Sequence, residues 1–162
     1  VRLGIVMYGL SPDVNTMGDS RVLGLKPAMT LRARLQLVKE VPAGSSVGYG
    51  GTATTSRATK VGVVTMGYAD GVPRNASAEA GVLAGNSRAP ILGRVSMDQF
   101  VVDLGPDSAA KTGDWVYLIG APIGSSDSGN GYTADMWGKA CGTINYEIVT
   151  RIAPRVPRIY LN

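Results

Sequence analysis

The sequence predicts a mainly β protein, a compact β-barrel or β-sandwich with one short helix. Most apolar residues lie in short β-branched or aliphatic runs, and turn-forming Gly, Pro, Asn, Asp and Ser separate these runs. Only one segment carries both the start and the stop signals of a helix. A chain of 162 residues, of which 44% are hydrophobic, is long enough to bury the core of one globular domain.

The chain opens with a mostly apolar segment, Val1 to Leu10, which predicts a buried strand. No earlier segment is available to pair with it, so we expect this strand to belong to a larger unit. Residues 11–27 are rich in Ser, Pro, Asp, Asn and Gly and predict a long loop or linker. The sequence therefore predicts a boundary between residues 1–27 and a β domain over residues 28–162.

The strands of this domain show two kinds of pattern. Alternation from Thr30 to Gln36 predicts a half-buried strand, whereas the apolar, β-branched run Val61–Met66 predicts a central one. Pro90 cannot donate to a β-ladder, so the run Ala89–Leu92 predicts an edge strand or a strand start. Four further strands are predicted over residues 94–104, 115–119, 144–151 and 155–160.

One helix and one long loop interrupt the strands. Residues 120–131 are rich in Gly, Ser, Asp and Asn and predict a poorly ordered loop. Thr133 can cap a helix from Ala134 to about Ala140, Asp135 suits its positive end, and Gly142 suits its stop.

Composition narrows the function classes. Histidine is absent, and the single Cys141 and the carboxylates show no zinc-type spacing, so we expect no transition-metal site and an inert, buried thiol. No apolar run approaches the roughly 20 residues that a membrane helix needs, which predicts a soluble, cytoplasmic protein. The net charge of +4 leaves a nucleic-acid-binding module open, although the 16 Lys and Arg residues are scattered.

The strongest candidate for chemistry is Tyr49, which lies in the segment Val47-Gly48-Tyr49-Gly50-Gly51-Thr52. Three glycines around one phenol indicate a backbone shaped to present the ring, although a hairpin turn with a structural tyrosine explains the same pattern. Without histidine, proton transfer would fall to Tyr, Lys, Cys or a carboxylate.

Two other tyrosines, Tyr68 and Tyr146, lie at similar glycine-rich or strand-terminal positions. Arginines stand close by in the sequence, and a guanidinium beside a phenol stabilises the phenolate. Taken singly, each of these residues is more often structural than functional.

Seven segments together resemble one known family, the bacterial alanine racemases. They follow the family's order and spacing from the first residue to the last: Arg2-Leu3-Gly4-Ile5 with Tyr8-Gly9, Leu25-Lys26-Pro27, Val47-Gly48-Tyr49-Gly50, Gly67-Tyr68-Ala69-Asp70-Gly71, Gly93-Arg94-Val95-Ser96-Met97-Asp98, Thr143-Ile144-Asn145-Tyr146-Glu147 and Arg155-Val156-Pro157-Arg158.

The resemblance implies a two-domain enzyme with pyridoxal 5'-phosphate as its cofactor. Residues 1–27 would be the last strand and linker of an N-terminal (β/α)8 barrel that carries the cofactor lysine, and residues 28–162 would be the C-terminal β domain. Arg2 matches the donor to the cofactor's pyridine nitrogen. Gly4 and Ile5 match backbone donors to its phosphate, and Tyr146 matches a phenol that reaches the same phosphate.

The resemblance also implies that alanine is racemised between its L and D forms by two bases, with Tyr49 as one and the cofactor lysine as the other. Tyr49 would serve the cofactor of the second subunit of a head-to-tail homodimer, so that this chain alone would be inactive. Met97 matches a substrate-binding position. The corridor by which substrate enters would be lined by four residues, namely Tyr68, Arg74, Arg94 and Asp98.

Several positions depart from the family pattern without removing a catalytic group. Residue 48 is Gly where Ser is common, Ser96 stands where Cys is frequent, and Ala53 stands where an aromatic residue is usual. The cofactor lysine, the histidine that commonly polarises the catalytic tyrosine, and most of the barrel have no counterpart in this chain. A purely structural dimerisation domain and a basic nucleic-acid-binding β-barrel remain the alternatives.

Overall fold

A computed structural model describes residues 1–124 and 129–161 of the chain. Within them lie eight strands: β1 (Leu31–Val41), β2 (Ser46–Val47), β3 (Ala53–Thr54), β4 (Thr59–Val64), β5 (Gly81–Ala84), β6 (Ser87–Pro90), β7 (Phe100–Asp103) and β8 (Trp115–Ile119). The α-helices of these residues are α1 (Val14–Met17), α2 (Ala134–Ala140) and α3 (Asn145–Thr150). Short 3-10 turns cover Gly4–Tyr8, Tyr49–Gly51 and Tyr68–Asp70.

Six of these strands form one antiparallel sheet in the order β6-β5-β8-β1-β4-β7. An isolated bridge between Ile91 and Val102 joins the chain after β6 to β7, so the two ends of the sheet meet and the barrel is nearly closed. Strands β2 and β3 form a separate two-stranded hairpin. The predicted fold class, a mainly β barrel-like domain, is confirmed.

The core fills the inside of this sheet. Leu31, Ala33 and Leu35 are buried along β1 and alternate with exposed neighbours, which confirms the predicted half-buried strand. Phe100 meets Trp137 of α2 edge to face at 6.4 Å, and the Trp137 indole donates to the Leu118 carbonyl at 2.6 Å. Helix α2 therefore packs against strands β7 and β8 through Trp137.

The predicted strand at Val1–Leu10 is wrong. Residues Gly4–Tyr8 form a 3-10 helix, and both Gly4 and Gly9 have positive φ (59° and 74°), which an extended strand does not allow. The segment turns so that Ile5 and Leu10 are buried against the core. The division at residue 27 stays a prediction.

Three other predicted strands differ from the structure. Residues 94–104 form a strand only over Phe100–Asp103, because a tight turn precedes it in which the Ser96 N–H donates to the Gln99 carbonyl at 2.9 Å. The run 144–151 is helix α3, whose residue Ile148 is buried beside α2, so tertiary packing overrides the β propensity of Ile and Val. Residues 155–160 form no strand.

The predicted central strand, edge strand and capped helix all have counterparts in the structure. Strand β4 pairs on both sides and is central, as predicted. The predicted edge strand Ala89–Leu92 is shifted by two residues: strand β6 ends the sheet order but covers Ser87–Pro90, with Pro90 as its last residue. Thr133 caps α2 by accepting from the Met136 N–H at 3.1 Å. Strand β5 and helix α1 were not predicted. The predicted loop at 120–131 includes residues 125–128, which lie outside the described residues. No helix in the described part of the chain combines the length and apolar character needed to span a bilayer.

Candidate active-site surface

Tyr49 lies at the tip of the hairpin formed by β2 and β3, and its side chain is 74% exposed. The hairpin packs its backbone against residues 93–94. A Cβ atom added at Gly48 would lie 3.2 Å from the Arg94 nitrogen, and one at Gly93 would lie 2.9 Å from the Val47 carbonyl oxygen. The glycines allow this close contact, so the phenol stands on a supported loop with an accessible ring.

Tyr68 occupies a second turn, which is bonded to the loop that contains Met97. The Tyr68 N–H donates to the Ser96 carbonyl at 3.0 Å, and the Ala69 N–H donates to the Met97 carbonyl at 2.9 Å. Gly67 lies so close to these carbonyls that a Cβ atom there would overlap them. Because both loops are joined through their backbones, Tyr68 and Met97 are neighbours on the surface.

Arg155 joins the same two loops through its side chain. Its Nε donates to Asp70 Oδ1 at 2.7 Å, and its Nη2 donates to Asp98 Oδ1 at 2.6 Å. The other oxygen of Asp70 accepts from the Gly67 N–H at 2.8 Å and so closes the Tyr68 turn. The hydrogen bond to Asp70, and to a lesser extent that to Asp98, holds the pKa of the Arg155 guanidinium well above its usual range.

These loops together present one exposed surface, which we call the tyrosine face. Its members are all exposed and lie on the connected loops just described: Tyr49, Tyr68, Arg94, Met97 and Asp98. The structure thus brings together five of the residues that the sequence singled out. Arg74 is exposed too, but within the described residues it makes no ion pair or side-chain hydrogen bond to this face.

A second set of predicted residues lies elsewhere, in a cavity of about 1080 Å³ between the N-terminal turn, helix α3 and the C-terminal tail. Gly4, Ile5 and Tyr146 line it, and we call these three the cavity group. The Tyr146 hydroxyl lies 3.9 Å from the place where a Cβ at Gly4 would stand. Arg2 is exposed and does not line this cavity.

The two sets are connected by the chain around helix α3 but remain separate. Helix α3 carries Tyr146 and ends next to the Tyr68 turn, where the Ala153 N–H donates to the Asp70 carbonyl at 3.0 Å. Tyr49 is absent from the residues that line the cavity. The phenol and the cavity group therefore do not form one pocket within a single chain.

Sequence reasoning missed two residues that organise these regions. Arg155 stands in a segment that carried the family resemblance, yet nothing in the sequence indicated its two carboxylate partners. Asn145 is buried and donates to the Ser11 carbonyl at 2.8 Å and to Asp135 Oδ1 at 2.6 Å. Burial raises the pKa of Asp135, although the Asn145 bond opposes that rise. Asn145 also stands in a segment that carried the family resemblance, yet nothing in the sequence indicated its bonds to Ser11 and Asp135.

Comparison with known proteins places this geometry in context. The family model described as alanine racemase, C-terminal domain, matches residues 28–160. Among curated proteins, the alanine racemase of Streptomyces coelicolor is 49% identical over 164 residues, and that of Salinispora tropica is 52% identical over 161. The chain is covered to 100% and 99% in these two matches but spans only 40% of the length of each relative.

Solved structures give the same result. The alanine racemase of Streptomyces lavendulae is 49% identical with a TM-score of 0.88, and the match covers 98% of this chain and 40% of that one. The Bacillus anthracis alanine racemase, solved with bound L-Ala-P, is 36% identical with a TM-score of 0.82, and the match covers 98% of this chain and 39% of that one.

Proposed function

Because this chain belongs to the alanine racemase family and matches its C-terminal domain, we propose that it forms part of an enzyme that interconverts L- and D-alanine. The observation that carries the proposal is an exposed tyrosine on a supported loop, within a chain that matches the family over residues 28–160. The same matches favour this enzyme over the nucleic-acid-binding module that the basic charge left open.

Tyr49 is the proposed acid–base residue. Racemisation requires a proton to leave the α-carbon on one face and return on the other, so two bases on opposite faces are needed. The Tyr49 hydroxyl would remove or return the proton on one face. Its 74% exposure and the supported hairpin suit a group that must meet a substrate bound outside its own chain.

The separation of Tyr49 from the cavity group supports a site shared between two subunits. If the cofactor lies against the cavity group of one subunit, the Tyr49 beside it has to come from the other, because Tyr49 does not reach that cavity in its own chain. A head-to-tail homodimer provides this arrangement twice.

The cavity group fits the phosphate end of pyridoxal 5'-phosphate, the cofactor of the family. When bound, this cofactor withdraws electrons from the α-carbon and makes its proton easier to remove. Gly4 leaves open the space that a side chain would fill, and the Tyr146 hydroxyl lies at the border of that space. The first N–H groups of the 3-10 turn, those of Gly4 and Ile5, have no partner within the turn and can donate to an anion.

Arg2 would complete the cofactor contacts at the pyridine nitrogen. It is exposed, so it is free to meet a group outside the described residues. A guanidinium stays protonated and can donate a hydrogen bond, but it does not hand over a full proton. The ring nitrogen would thus remain a weaker electron sink than it would be beside a carboxylate.

The charged members of the tyrosine face suit a zwitterionic substrate that passes between them. Arg94 and Asp98 offer opposite charges beside Tyr68, and Met97 stands among them with 54% of its surface exposed. Arg74 would lie farther out along the same corridor. We propose that this corridor is narrow, which would favour a small amino acid.

The test is Tyr49→Phe in the natural full-length protein that contains this chain. We expect the rate of alanine racemisation to fall by roughly 10²- to 10⁴-fold, because the phenol's proton-transferring oxygen is removed while its ring remains. Tyr117→Phe on β8 is the matched control, and its rate should be unchanged. Equal rates for wild type and Tyr49→Phe would reject Tyr49 as the base.

A further inference from the structure

Two loops of the tyrosine face approach each other from different parts of the chain, and a third segment links them. The Tyr68 turn follows β4, the Met97 loop precedes β7, and Arg155 comes from the segment after α3. One guanidinium is bonded at the same time to Asp70 of the first loop and Asp98 of the second.

The two ion pairs differ in their environment. The Asp70 side chain is only 14% exposed and also bonds the Gly67 N–H, whereas the Asp98 side chain is 64% exposed. Solvent screening weakens the Asp98 pair more than the Asp70 pair. Arg155 is therefore anchored on the Tyr68 turn and draws the more exposed Met97 loop toward it.

We propose that Arg155 is a positioning residue that sets the spacing between Tyr68 and Met97, and with it the width of the corridor that selects a small amino acid. This inference rests on the proposed function, because it assumes that the tyrosine face borders the substrate's path. Arg155 acts through Asp70 and Asp98 and touches no reacting atom.

A guanidinium is needed for this task because its planar fork presents several donors in fixed directions. Nε and Nη2 point to different carboxylates at 2.7 and 2.6 Å, so one rigid group fixes both. A lysine has a single ammonium on a flexible stem and would hold one carboxylate well or both poorly.

The kinetic experiment uses the natural full-length protein with Arg155→Gln and Arg155→Lys. We expect kcat/KM for alanine to fall by about 10-fold in Arg155→Gln, mainly through KM, because the corridor loosens while the proton-transfer groups stay intact. Discrimination against 2-aminobutyrate, which is one methylene larger, should also weaken. Arg155→Lys should recover part of the loss.

The matched control is Arg57→Gln. Arg57 also forms an exposed surface ion pair, at 3.1 Å to Asp103, and its side chain is 54% exposed compared with 50% for Arg155. Its kinetics and its discrimination should match wild type. If Arg155→Gln and Arg57→Gln change KM and discrimination equally, Arg155 has only a structural role and the proposal is overturned.

A second measurement separates this inference from the proposed function. Hydrogen exchange at the Tyr68 and Ala69 amides, which bond the Met97 loop, reports the junction without any assay of activity. We expect exchange there to be about 10-fold faster in Arg155→Gln and unchanged in Arg57→Gln. If the wild-type protein does not racemise alanine, the proposed function fails. If hydrogen exchange at Tyr68 and Ala69 is unchanged in Arg155→Gln, Arg155 is rejected as a positioning residue.

Discussion

The tyrosine face and the cavity group are positioned by different kinds of contact. The loops that carry Tyr68 and Met97 follow or precede sheet strands and are joined by backbone hydrogen bonds and by Arg155. The Tyr49 hairpin packs against residues 93–94 through the close contacts that its glycines allow. The cavity group depends on the N-terminal 3-10 turn Gly4–Tyr8, which lies outside the sheet. Ile5 and Leu10 hold this turn to the core, and Asn145 bonds the Ser11 carbonyl that follows it.

The two regions therefore depend on the barrel to different degrees. Pairing between β4 and β7 fixes the ends of these strands. The loops that carry Tyr68 and Met97 adjoin these ends, so the distance between the two loops is defined by the sheet. The cavity group forms only when the N-terminal segment docks on helices α2 and α3. We therefore expect substitutions to affect one region and leave the other intact.

The largest effect on stability is expected from Gly67→Ala on the tyrosine face. A Cβ atom there would overlap the Ser96 and Met97 carbonyls, which are backbone atoms and cannot rotate away. Forcing the two loops apart should lower the free energy of unfolding by about 3 kcal/mol. Denaturant unfolding of the natural full-length protein measures this loss.

Gly129→Ala is the control for this prediction. Gly129 has open space around the position of an added Cβ and does not have a positive φ. Its stability should stay within about 0.5 kcal/mol of wild type. If the two alanine variants are equally stable, the close contact at Gly67 does not hold the face together.

A smaller effect is expected from Asn145→Ala, which loosens the cavity group. The substitution leaves the Ser11 carbonyl and the Asp135 carboxylate without their amide donor. We expect the free energy of unfolding to fall by about 2 kcal/mol. Hydrogen exchange should become faster at the Ala28 amide, which donates to the Tyr8 carbonyl.

Asn75→Ala serves as its control, because Asn75 is an exposed residue whose amide donates one part-buried hydrogen bond, at 2.9 Å to the Cys141 carbonyl. The Asn75→Ala substitution should lower the free energy of unfolding by less than about 1 kcal/mol and leave hydrogen exchange at the Ala28 amide unchanged. Faster hydrogen exchange at Tyr68 and Ala69 in Asn145→Ala would show that the tyrosine face and the cavity group are coupled. This result would contradict the expectation that a substitution in one region leaves the other intact.

Much of the barrel could be predicted from local patterns. Alternation along β1, the β-branched run of β4 and the cap at Thr133 each contain their own signal within a few residues. Helix α3 could not be predicted in this way. Its Ile, Val and Thr residues favour strands, and only the burial of Ile148 against α2 selects the helix.

In the candidate site, too, features with a local sequence signal could be predicted, whereas contacts between distant segments could not. Glycines around Tyr49 and Tyr68 indicated exposed loops, and both loops are present. The sequence did not show that Arg155 reaches two carboxylates in distant segments, because such contacts depend on the closed sheet. The first ten residues were predicted wrongly because apolar composition alone does not distinguish a strand from a 3-10 turn. The positive φ of Gly4 and Gly9 belongs to the turn and is not compatible with a strand.

If Tyr49 of one subunit works on the cofactor held by the other, mixed dimers of two impaired variants should regain activity. One subunit carries Tyr49→Phe. The other keeps Tyr49 but has alanine at the cofactor-bearing lysine, which the resemblance places outside this chain. Each variant is first assayed alone, and the two are then unfolded and refolded together in equal amounts.

If the site is shared, each mixed dimer contains one intact site, and the mixture should regain about a quarter of wild-type racemase activity per subunit. Activity no greater than the sum of the two variants assayed alone would contradict the account, because it would mean that Tyr49 serves the cofactor of its own subunit.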